Sequence, residues 1–306
     1  GYFAHPSYGA SDLRIAQGSS VRSKLDYLTS MAATRLVDRP FLVTEYKHCW
    51  WNRYHYEEGL AAGAFYALQD YDAMIAHCDQ VYRSRVGIPM AFVIGADPIA
   101  RAAEQLSGFL FATRAVRPSS NLICLRVREA DLLTQVSLSG TAVNTQQANL
   151  SLVSRFGLAF EGAPGCPWAT KPTTARTTLS LAGGSEVLST MALSTALEYR
   201  GREFDADSFV DSLRQYGILN RGNRTRPAEG RFESDTGEVY LSSKENLMTV
   251  VAPGCVGANA EAGQKLQLGP LALEGSTIRA GVALVSLDRE PITRSGRLLL
   301  FYLTDS

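Results

Sequence analysis

The sequence predicts two units of different fold class, an α/β unit over residues 1–117 and an antiparallel β-sandwich over residues 118–306. Three observations lead to this prediction: a strand–helix–strand order early in the chain, a helix-start signal near residue 97, and many short strand-like runs after residue 117. A chain of 306 residues with 45% hydrophobic composition can bury one large core or two modest ones, and two domains are expected.

The first unit reads as α/β because strand and helix patterns alternate along it. A helix is expected near residues 24–36, and a short apolar run at 39–45 (RPFLVTE) has the length of a buried parallel strand. Residues 53–68 space their apolar side chains as a helix does, and 74–78 is a second strand candidate. This order implies a right-handed crossover and parallel pairing of the two strands. A further helix is expected at 97–111, with Asp97 as its N-cap and Pro98 in its first turn.

The second unit has a different texture. Short alternating or apolar runs are separated by Gly, Pro, Asn and Asp, as expected for an antiparallel sandwich. These runs fall at residues 121–127, 177–181, 237–241, 247–251, 277–287 and 297–303.

The charge balance limits the classes of partner that the protein is expected to bind. Thirty Lys and Arg residues match thirty Asp and Glu residues, so no net field gathers nucleic acid or an anionic membrane. No apolar run approaches the ~20 residues that span a bilayer. Neither a nucleic-acid nor a membrane partner is therefore expected, and a neutral small molecule or glycan fits better.

The five cysteines are scattered and contain no C-x-x-C pair that would indicate zinc or redox chemistry. They are expected to be mainly free, buried thiols, which favours a reducing compartment, although one surface disulfide stays possible on this pattern. The N-terminal segment shows no signal peptide, so both a cytoplasmic and a secreted location stay open. No metal-ligand spacing, phosphate-binding glycine loop or nucleophile elbow occurs, and no metal or cofactor is expected.

Glu45 is the strongest catalytic candidate, because it lies at the carboxyl end of an apolar strand, where barrel enzymes place catalytic groups. The loop after it carries His48, Trp50, Trp51, Asn52 and Arg53, whose aromatic faces and hydrogen-bond donors suit sugar rings. Two structural alternatives stand beside this interpretation. A strand-end Glu is as often an ion-pair partner, and the tryptophans could simply pack beneath the loop.

The segment RPFLVTEYKHCWWNRYHYEEGLAAGAFYALQDYDAM closely resembles the seventh strand, loop and helix of clan-A glycoside hydrolases related to the cellulase-like family 5. The matching features are Thr44-Glu45, the Asn-Arg-Tyr loop at 52–54, an acidic residue at 57 or 58, and Leu-Gln-Asp-Tyr-Asp at 68–72. The residues Tyr-Phe-Ala-His-Pro at 2–6 resemble the end of strand six in the same group.

The resemblance implies the C-terminal portion of a TIM (β/α)8 barrel followed by a β-sandwich, and retaining hydrolysis of O-glycosyl bonds in a β-linked glycan. It makes Glu45 the nucleophile and His5 a neighbour that orients it. Relatives usually have an aromatic residue where this chain has Ala-His-Cys-Asp at 76–79. His77 is therefore a substrate-binding candidate, although a lone His at a strand end is more often a core residue.

The resemblance also implies a missing part. A complete barrel needs about 250 residues, far more than precede the predicted sandwich, and retaining hydrolysis needs a second carboxyl group ~5 Å from the first. An N-terminal polypeptide or fragment that completes the barrel and supplies the acid/base is therefore the expected partner. The rival hypothesis is a non-catalytic carbohydrate-binding or structural module that keeps a barrel remnant.

Overall fold

The computed structural model describes residues 17–37, 39–48, 52–77, 95, 97–127, 145–160, 178–180, 205–215 and 217–304. Five α-helices lie in these ranges: α1 (Asp26–Ala32), α2 (Glu58–Gln69), α3 (Pro98–Thr113), α4 (Thr145–Ala148) and α5 (Ala206–Gln215). Three 3-10 helices accompany them: His55–Glu57, Asn149–Leu152 and Pro227–Glu229.

Thirteen β-strands lie in the same ranges. They are β1 (Leu42–Tyr46), β2 (Ala73–Ala76), β3 (Leu122–Val127), β4 (Arg155–Phe160), β5 (Thr178–Ser180), β6 (Arg231–Glu233), β7 (Val239–Ser242), β8 (Leu247–Ala252), β9 (Cys255–Ala260), β10 (Leu266–Leu268), β11 (Leu271–Leu273), β12 (Ala280–Ser286) and β13 (Leu298–Thr304).

The local predictions for the first unit hold at two points. Strands β1 and β2 pair in parallel across helix α2, with Leu42 opposite Ala73 and Val43 opposite Met74. Helix α3 begins where the sequence predicts, because the Asp97 side chain accepts a hydrogen bond from the backbone N–H of Ile99 at 2.9 Å.

The predicted fold class, a barrel remnant followed by a sandwich, is wrong for the described residues. Their largest sheet has six antiparallel strands in the order β13-β12-β9-β8-β7-β6. Two smaller parallel groups, β1-β2 and β4-β3-β5, and the hairpin β10-β11 complete the list of sheets in these ranges. Strands β3 and β5, which the sequence assigned to an antiparallel sandwich, therefore pair in parallel.

Helix α2 explains why the first unit is not part of a barrel wall. All twelve of its residues are buried, whereas a barrel helix keeps one face towards solvent. Helix α3 packs very closely on it at Gly59 and Gly63: a Cβ on either residue would lie 2.8 Å from a carbonyl oxygen of α3. Helix α2 also contacts β8, β9 and β12 of the antiparallel sheet. It is a central element that joins the two parts of the chain.

Helices cover the large sheet where a sandwich would have a second sheet. Helix α2 contacts three of its strands and α3 contacts β13. The 3-10 helix His55–Glu57 approaches it closely, since the Asn259 Nδ2 donates to the Glu57 carbonyl at 2.9 Å, and a Cβ on Gly281 would lie 3.0 Å from the Tyr56 carbonyl oxygen. The described architecture is thus a helix layer on an antiparallel sheet.

One hydrophobic cluster contains residues from both sides of position 117, among them Phe65, Phe156 and Phe232. An ion pair between Arg117 and the buried Glu238 crosses the same point in the sequence. The division of the chain at residue 117 stays a prediction.

The cysteines differ in part from expectation. Cys255 is free and buried, and burial raises its pKa to about 12. Cys124 is disulfide-bonded, which corrects the expectation of a free thiol there and weakens the argument for a reducing compartment.

Candidate active site at the carboxyl end of strand β1

A β-bulge places Glu45 at the surface. Between the pairs Val43–Met74 and Tyr46–Ala76, strand β1 has two residues where β2 has one. In a regular strand Glu45 would share the buried face of Val43, but the extra residue gives that face to Tyr46. Bulges of this kind re-aim side chains beside active sites. The bulge therefore turns the Glu45 carboxylate towards solvent.

Glu45 and His77 lie next to each other on the two neighbouring strand ends. The distance from His77 Nδ1 to Glu45 Oε2 is 3.4 Å, and the side chains are 43% and 69% exposed. The His77 backbone N–H donates to the Tyr46 carbonyl at 2.8 Å, so the parallel pairing itself fixes this residue beside the bulge. A carboxylate and an imidazole thus share an open surface at the carboxyl ends of parallel strands.

The opposite side of β1 is anchored by a buried charge network. Lys47 Nζ lies 3.1 Å from Glu58 Oε1 and 3.2 Å from Glu104 Oε2, and both Lys47 and Glu58 have side chains only 1% exposed. The Tyr46 hydroxyl donates to Glu104 Oε1 at 2.8 Å, and the His48 backbone N–H donates to Glu58 Oε2 at 2.7 Å. Each residue from 46 to 48 is therefore bonded to the carboxylate of Glu58 or Glu104.

The pKa values of the network follow from burial and from its own charges. Burial is the largest effect on Glu58 and raises its pKa, while the charge of Lys47 acts in the opposite direction. For Lys47, burial disfavours the ammonium, but the two carboxylates outweigh it and raise its pKa. The pKa of Tyr46 is also raised, first by burial and then by Glu104. Lys47 is accordingly charged and the Tyr46 hydroxyl protonated.

Two predicted sugar-binding residues lie inside the protein. Asn52 is fully buried, where its Oδ1 accepts from the Tyr54 backbone N–H at 2.8 Å and its Nδ2 donates to the Gly18 carbonyl at 3.2 Å. His48 is 1% exposed, and its ring packs against that of Tyr27 in a tilted arrangement, with 5.4 Å between the ring centroids. Burial lowers the pKa of His48 well below its usual value, so its ring is neutral.

The other predicted site residues have different outcomes. Arg53 is exposed, and its backbone N–H bonds the Gln17 side chain at 3.0 Å. His5, Trp50 and Trp51 lie outside the described residues. Of the predicted set, the structure brings together Glu45 and His77.

Sequence reasoning missed a second buried pair, which connects the loop after β1 to helix α3. His55 Nδ1 lies 2.6 Å from the Asn52 carbonyl oxygen, and its Nε2 lies 3.2 Å from Asp97 Oδ2. Burial alone would raise the pKa of Asp97, but the hydrogen bond and charge of His55 lower it. The N-cap position of Asp97 was visible in the sequence, but its partner His55, 42 residues earlier, was not.

Glu57, the last residue of the 3-10 helix His55–Glu57, holds residues 19–21 in place through hydrogen bonds. Its carboxylate accepts from the backbone N–H groups of Ser20 and Val21 and from the Ser20 hydroxyl, at 2.8, 3.2 and 2.6 Å. Burial is the largest influence on its pKa and raises it.

Comparisons with protein-family models, curated proteins and solved structures found no match to this chain. Among the described residues there is no group of three or more His, Cys, Asp and Glu side chains suited to a metal ion. No helix in the described ranges combines the length and apolar character needed to cross a bilayer.

Proposed function

We propose that the chain contributes the nucleophile of a retaining glycoside hydrolase acting on a β-linked glycan, and that Glu45 is this nucleophile. The observation that carries the proposal is the bulge in β1, which exposes the Glu45 carboxylate beside His77. The buried network of Lys47, Glu58 and Glu104 anchors the residues that follow it. The local sequence of residues 39–72 also resembles clan-A glycoside hydrolases at this position, although the described residues do not form the barrel of that clan.

In the proposed reaction the Glu45 carboxylate attacks the anomeric carbon and forms an acyl–glycosyl ester while the bond to the leaving oxygen breaks. A carboxylic acid donates its proton to that oxygen. The same group, now a carboxylate, takes a proton from water, which attacks the anomeric carbon and releases Glu45. His77 Nδ1 faces Oε2 of Glu45 and orients the carboxylate through its N–H.

The second carboxyl group belongs, in this proposal, to residues outside the described ranges or to a separate polypeptide. The two acids nearest in sequence to the loop are committed elsewhere: Glu58 holds Lys47, and Glu57 holds residues 19–21. Retaining hydrolysis needs its two carboxyl groups ~5 Å apart, so whichever of these supplies the acid/base must place it beside Glu45.

The first test isolates the nucleophile from the acid. A panel of 2,4-dinitrophenyl 2-deoxy-2-fluoro-β-glycosides is incubated with the protein, because this leaving group departs without protonation. We expect one member to add a single fluorosugar mass, and peptide mapping to locate it on Glu45. Glu45→Gln should block labelling, while Glu274→Gln, which changes another exposed carboxylate, should not.

Turnover is then measured on aryl β-glycosides, with any co-purifying polypeptide retained. Glu45→Gln is expected to lower kcat by roughly 10⁴-fold or more at an unchanged melting temperature, because the side chain is largely exposed. Labelling at another residue, or equal turnover by the Glu45→Gln variant, would overturn the proposal. Glycan binding with no labelling and no turnover would instead support the non-catalytic module.

A further inference from the structure

Strand β13 forms one edge of the six-stranded sheet in the described part of the chain. It pairs with β12 without interruption, from Leu298 opposite Ser286 to Thr304 opposite Ala280. Its sequence, LLLFYLT, contains no charged residue and no proline, and its register contains no bulge. Natural sheets usually protect an exposed edge with one of these features, because an unprotected edge pairs with other strands. The β13 edge is therefore suited to pair with a further strand.

The register shows which backbone groups of β13 face the open side. The backbone N–H of Leu287 donates to the Arg297 carbonyl at 2.8 Å, so the odd-numbered residues of the strand are those that bond to β12. The backbone N–H and C=O groups of the even-numbered residues then point away from the sheet, and no strand in the described ranges pairs with them. These residues are Leu298, Leu300, Tyr302 and Thr304.

The side chains of β13 are exposed on both faces of the sheet. Leu298, Leu300 and Tyr302 lie on the face away from the helix layer, and Leu299 lies on the same face as the buried Leu303. The four exposed side chains retain between 42% and 56% of their accessible surface. A strand added beside β13 would cover apolar surface on both faces, because cross-strand neighbours pack on each of them.

The opposite edge of the sheet, β6, is protected. It has three residues, of which Arg231 and Glu233 are charged. Arg226 forms a β-bridge with Arg231, and Arg224 Nη2 lies 2.8 Å from Glu233 Oε1. Of the two edges of the described sheet, β13 is thus the one that lacks protection.

The strand is complementary to itself in an antiparallel pair. When two copies of β13 overlap over their whole length, Phe301 lies opposite Phe301 of the second copy. Leu300 then lies opposite Tyr302, and Leu298 lies opposite Thr304. Aromatic and aliphatic cross-strand pairs of this kind stabilise a sheet. The even-numbered residues, whose backbone groups point outward, face one another in this register.

The residues that flank the strand carry opposite charges. Arg297 precedes it and is exposed, and the sequence continues after Thr304 with Asp305. In the fully overlapping register, Arg297 of each copy comes opposite position 305 of the other. Cross-strand pairs of opposite charge are favourable, and a two-fold axis produces this pair twice. A shift of the register in either direction would lose both pairs, so the charges favour a second copy of the chain as the occupant of the edge.

We infer that two copies of the chain join through β13 as antiparallel edge strands and form one continuous sheet across a two-fold axis. The even-numbered residues exchange about eight backbone hydrogen bonds. The dimer is closed, because each copy uses its unprotected edge and the remaining edges are the protected β6 strands. The inference goes beyond the proposed function and does not depend on it, since β13 and Glu45 belong to different sheets.

The first test is sedimentation equilibrium of the whole protein, for which we expect a dimer of twice the chain mass. Leu300→Pro removes an outward N–H and no bond to β12, so the chain should fold while the dimer dissociates at least tenfold more readily. The matched control Leu300→Val keeps both the N–H and an apolar side chain and should leave the dimer intact.

The second test identifies the partner and the register by charge exchange. Arg297→Asp and Asp305→Arg, each alone, place like charges opposite each other twice, and each should weaken the dimer about fivefold or more. Mixing the two variants should restore it as a mixed dimer in native mass spectrometry, because unlike charges then meet at both positions. Lys265→Asp changes another exposed charge by the same amount and should have no effect.

Four results would overturn the inference. They are a wild type that is only monomeric at about 100 μM, oligomers that grow beyond the dimer, a dimer unaffected by Leu300→Pro, and charge variants that do not recover on mixing. If circular dichroism shows that Leu300→Pro does not fold, the charge variants decide the outcome.

Discussion

Lys47→Met is expected to destabilise the protein by about 3–5 kcal/mol, because it removes the charge that two carboxylates share beneath strand β1. Glu58, 1% exposed, would keep only the His48 backbone N–H as a partner. Glu104 is 24% exposed and can be hydrated, so most of the cost comes from Glu58. Methionine conserves most of the volume of the lysine side chain, which keeps the packing term small.

The assay is the free energy of unfolding from urea denaturation, measured for a full double-mutant cycle. Lys47→Met with Glu58→Gln should recover at least half of the loss, because the stranded carboxylate is gone. The exposed Lys265→Met is the matched control and should stay within about 0.5 kcal/mol of the wild type. A loss below about 1 kcal/mol for Lys47→Met, or strictly additive effects in the cycle, would refute the reasoning.

The same variant has an expected pH dependence. Burial raises the pKa of Glu58, and without Lys47 nothing of comparable strength opposes it, so the folded carboxyl takes up a proton more readily. A group whose pKa is raised by folding contributes stability below its unfolded pKa and loses it as pH rises through the folded pKa. The destabilisation of Lys47→Met should therefore be smaller at about pH 5 than at about pH 8.

Three further predictions follow from packing, pairing and the sheet edge. Gly63→Ala should lower the stability by about 1–3 kcal/mol, because its Cβ would lie 2.8 Å from a carbonyl oxygen of α3. The Cβ of Gly108→Ala would meet no atom within 4 Å, so this variant should be more stable than the wild type by about 0.5–1 kcal/mol. Thermal melts that rank the two variants in the opposite order would contradict the close helix contact. The lowered pKa of Asp97 contributes stability that disappears as pH falls through that pKa. Asp97→Asn leaves His55 without its carboxylate and should therefore flatten the acid side of the stability–pH curve. An unchanged curve would show that the pair contributes nothing to stability. Leu300 is 56% exposed on the edge strand β13. Leu300→Lys should reduce self-association, measured by light scattering, without altering the midpoint of urea unfolding of the monomer. A lowered midpoint would show that this face is packed.

The parts of the fold that could be predicted from sequence are those set by local chemistry. The Asp-Pro start of α3 is a capping signal contained in two residues, and the parallel pairing of β1 and β2 follows from the short crossover through α2. The direction of the later strands was not readable in this way. An apolar run of six residues predicts a strand, but β3 and β4 are separated by a long connection, which permits parallel pairing as easily as antiparallel.

The sequence allowed Glu45 to be named as a candidate, but it did not show the residues that support its position. Glu45 could be named because a carboxylate at the end of an apolar strand is a local pattern. The bulge that exposes it depends on register against β2, and alternation alone would have buried it. Asn52 has the chemistry of a sugar ligand, but a bond to the backbone two residues later turns it inward, as Asn side chains often do in turns. The partnership of Lys47 with Glu104 joins residues 57 positions apart and leaves no trace in either neighbourhood.

The complete burial of helix α2 has a consequence for how the chain reaches its native state. The helix ends at Gln69, and the strands that cover it, β8, β9 and β12, begin only at Leu247, so they are synthesised much later than the helix. Until those strands are translated the apolar helix lacks its cover, and its native contacts have large sequence separations, so loop closure must precede much of the stabilisation. Folding should accordingly be slow, and the nascent protein should depend on chaperones until the antiparallel sheet has left the ribosome.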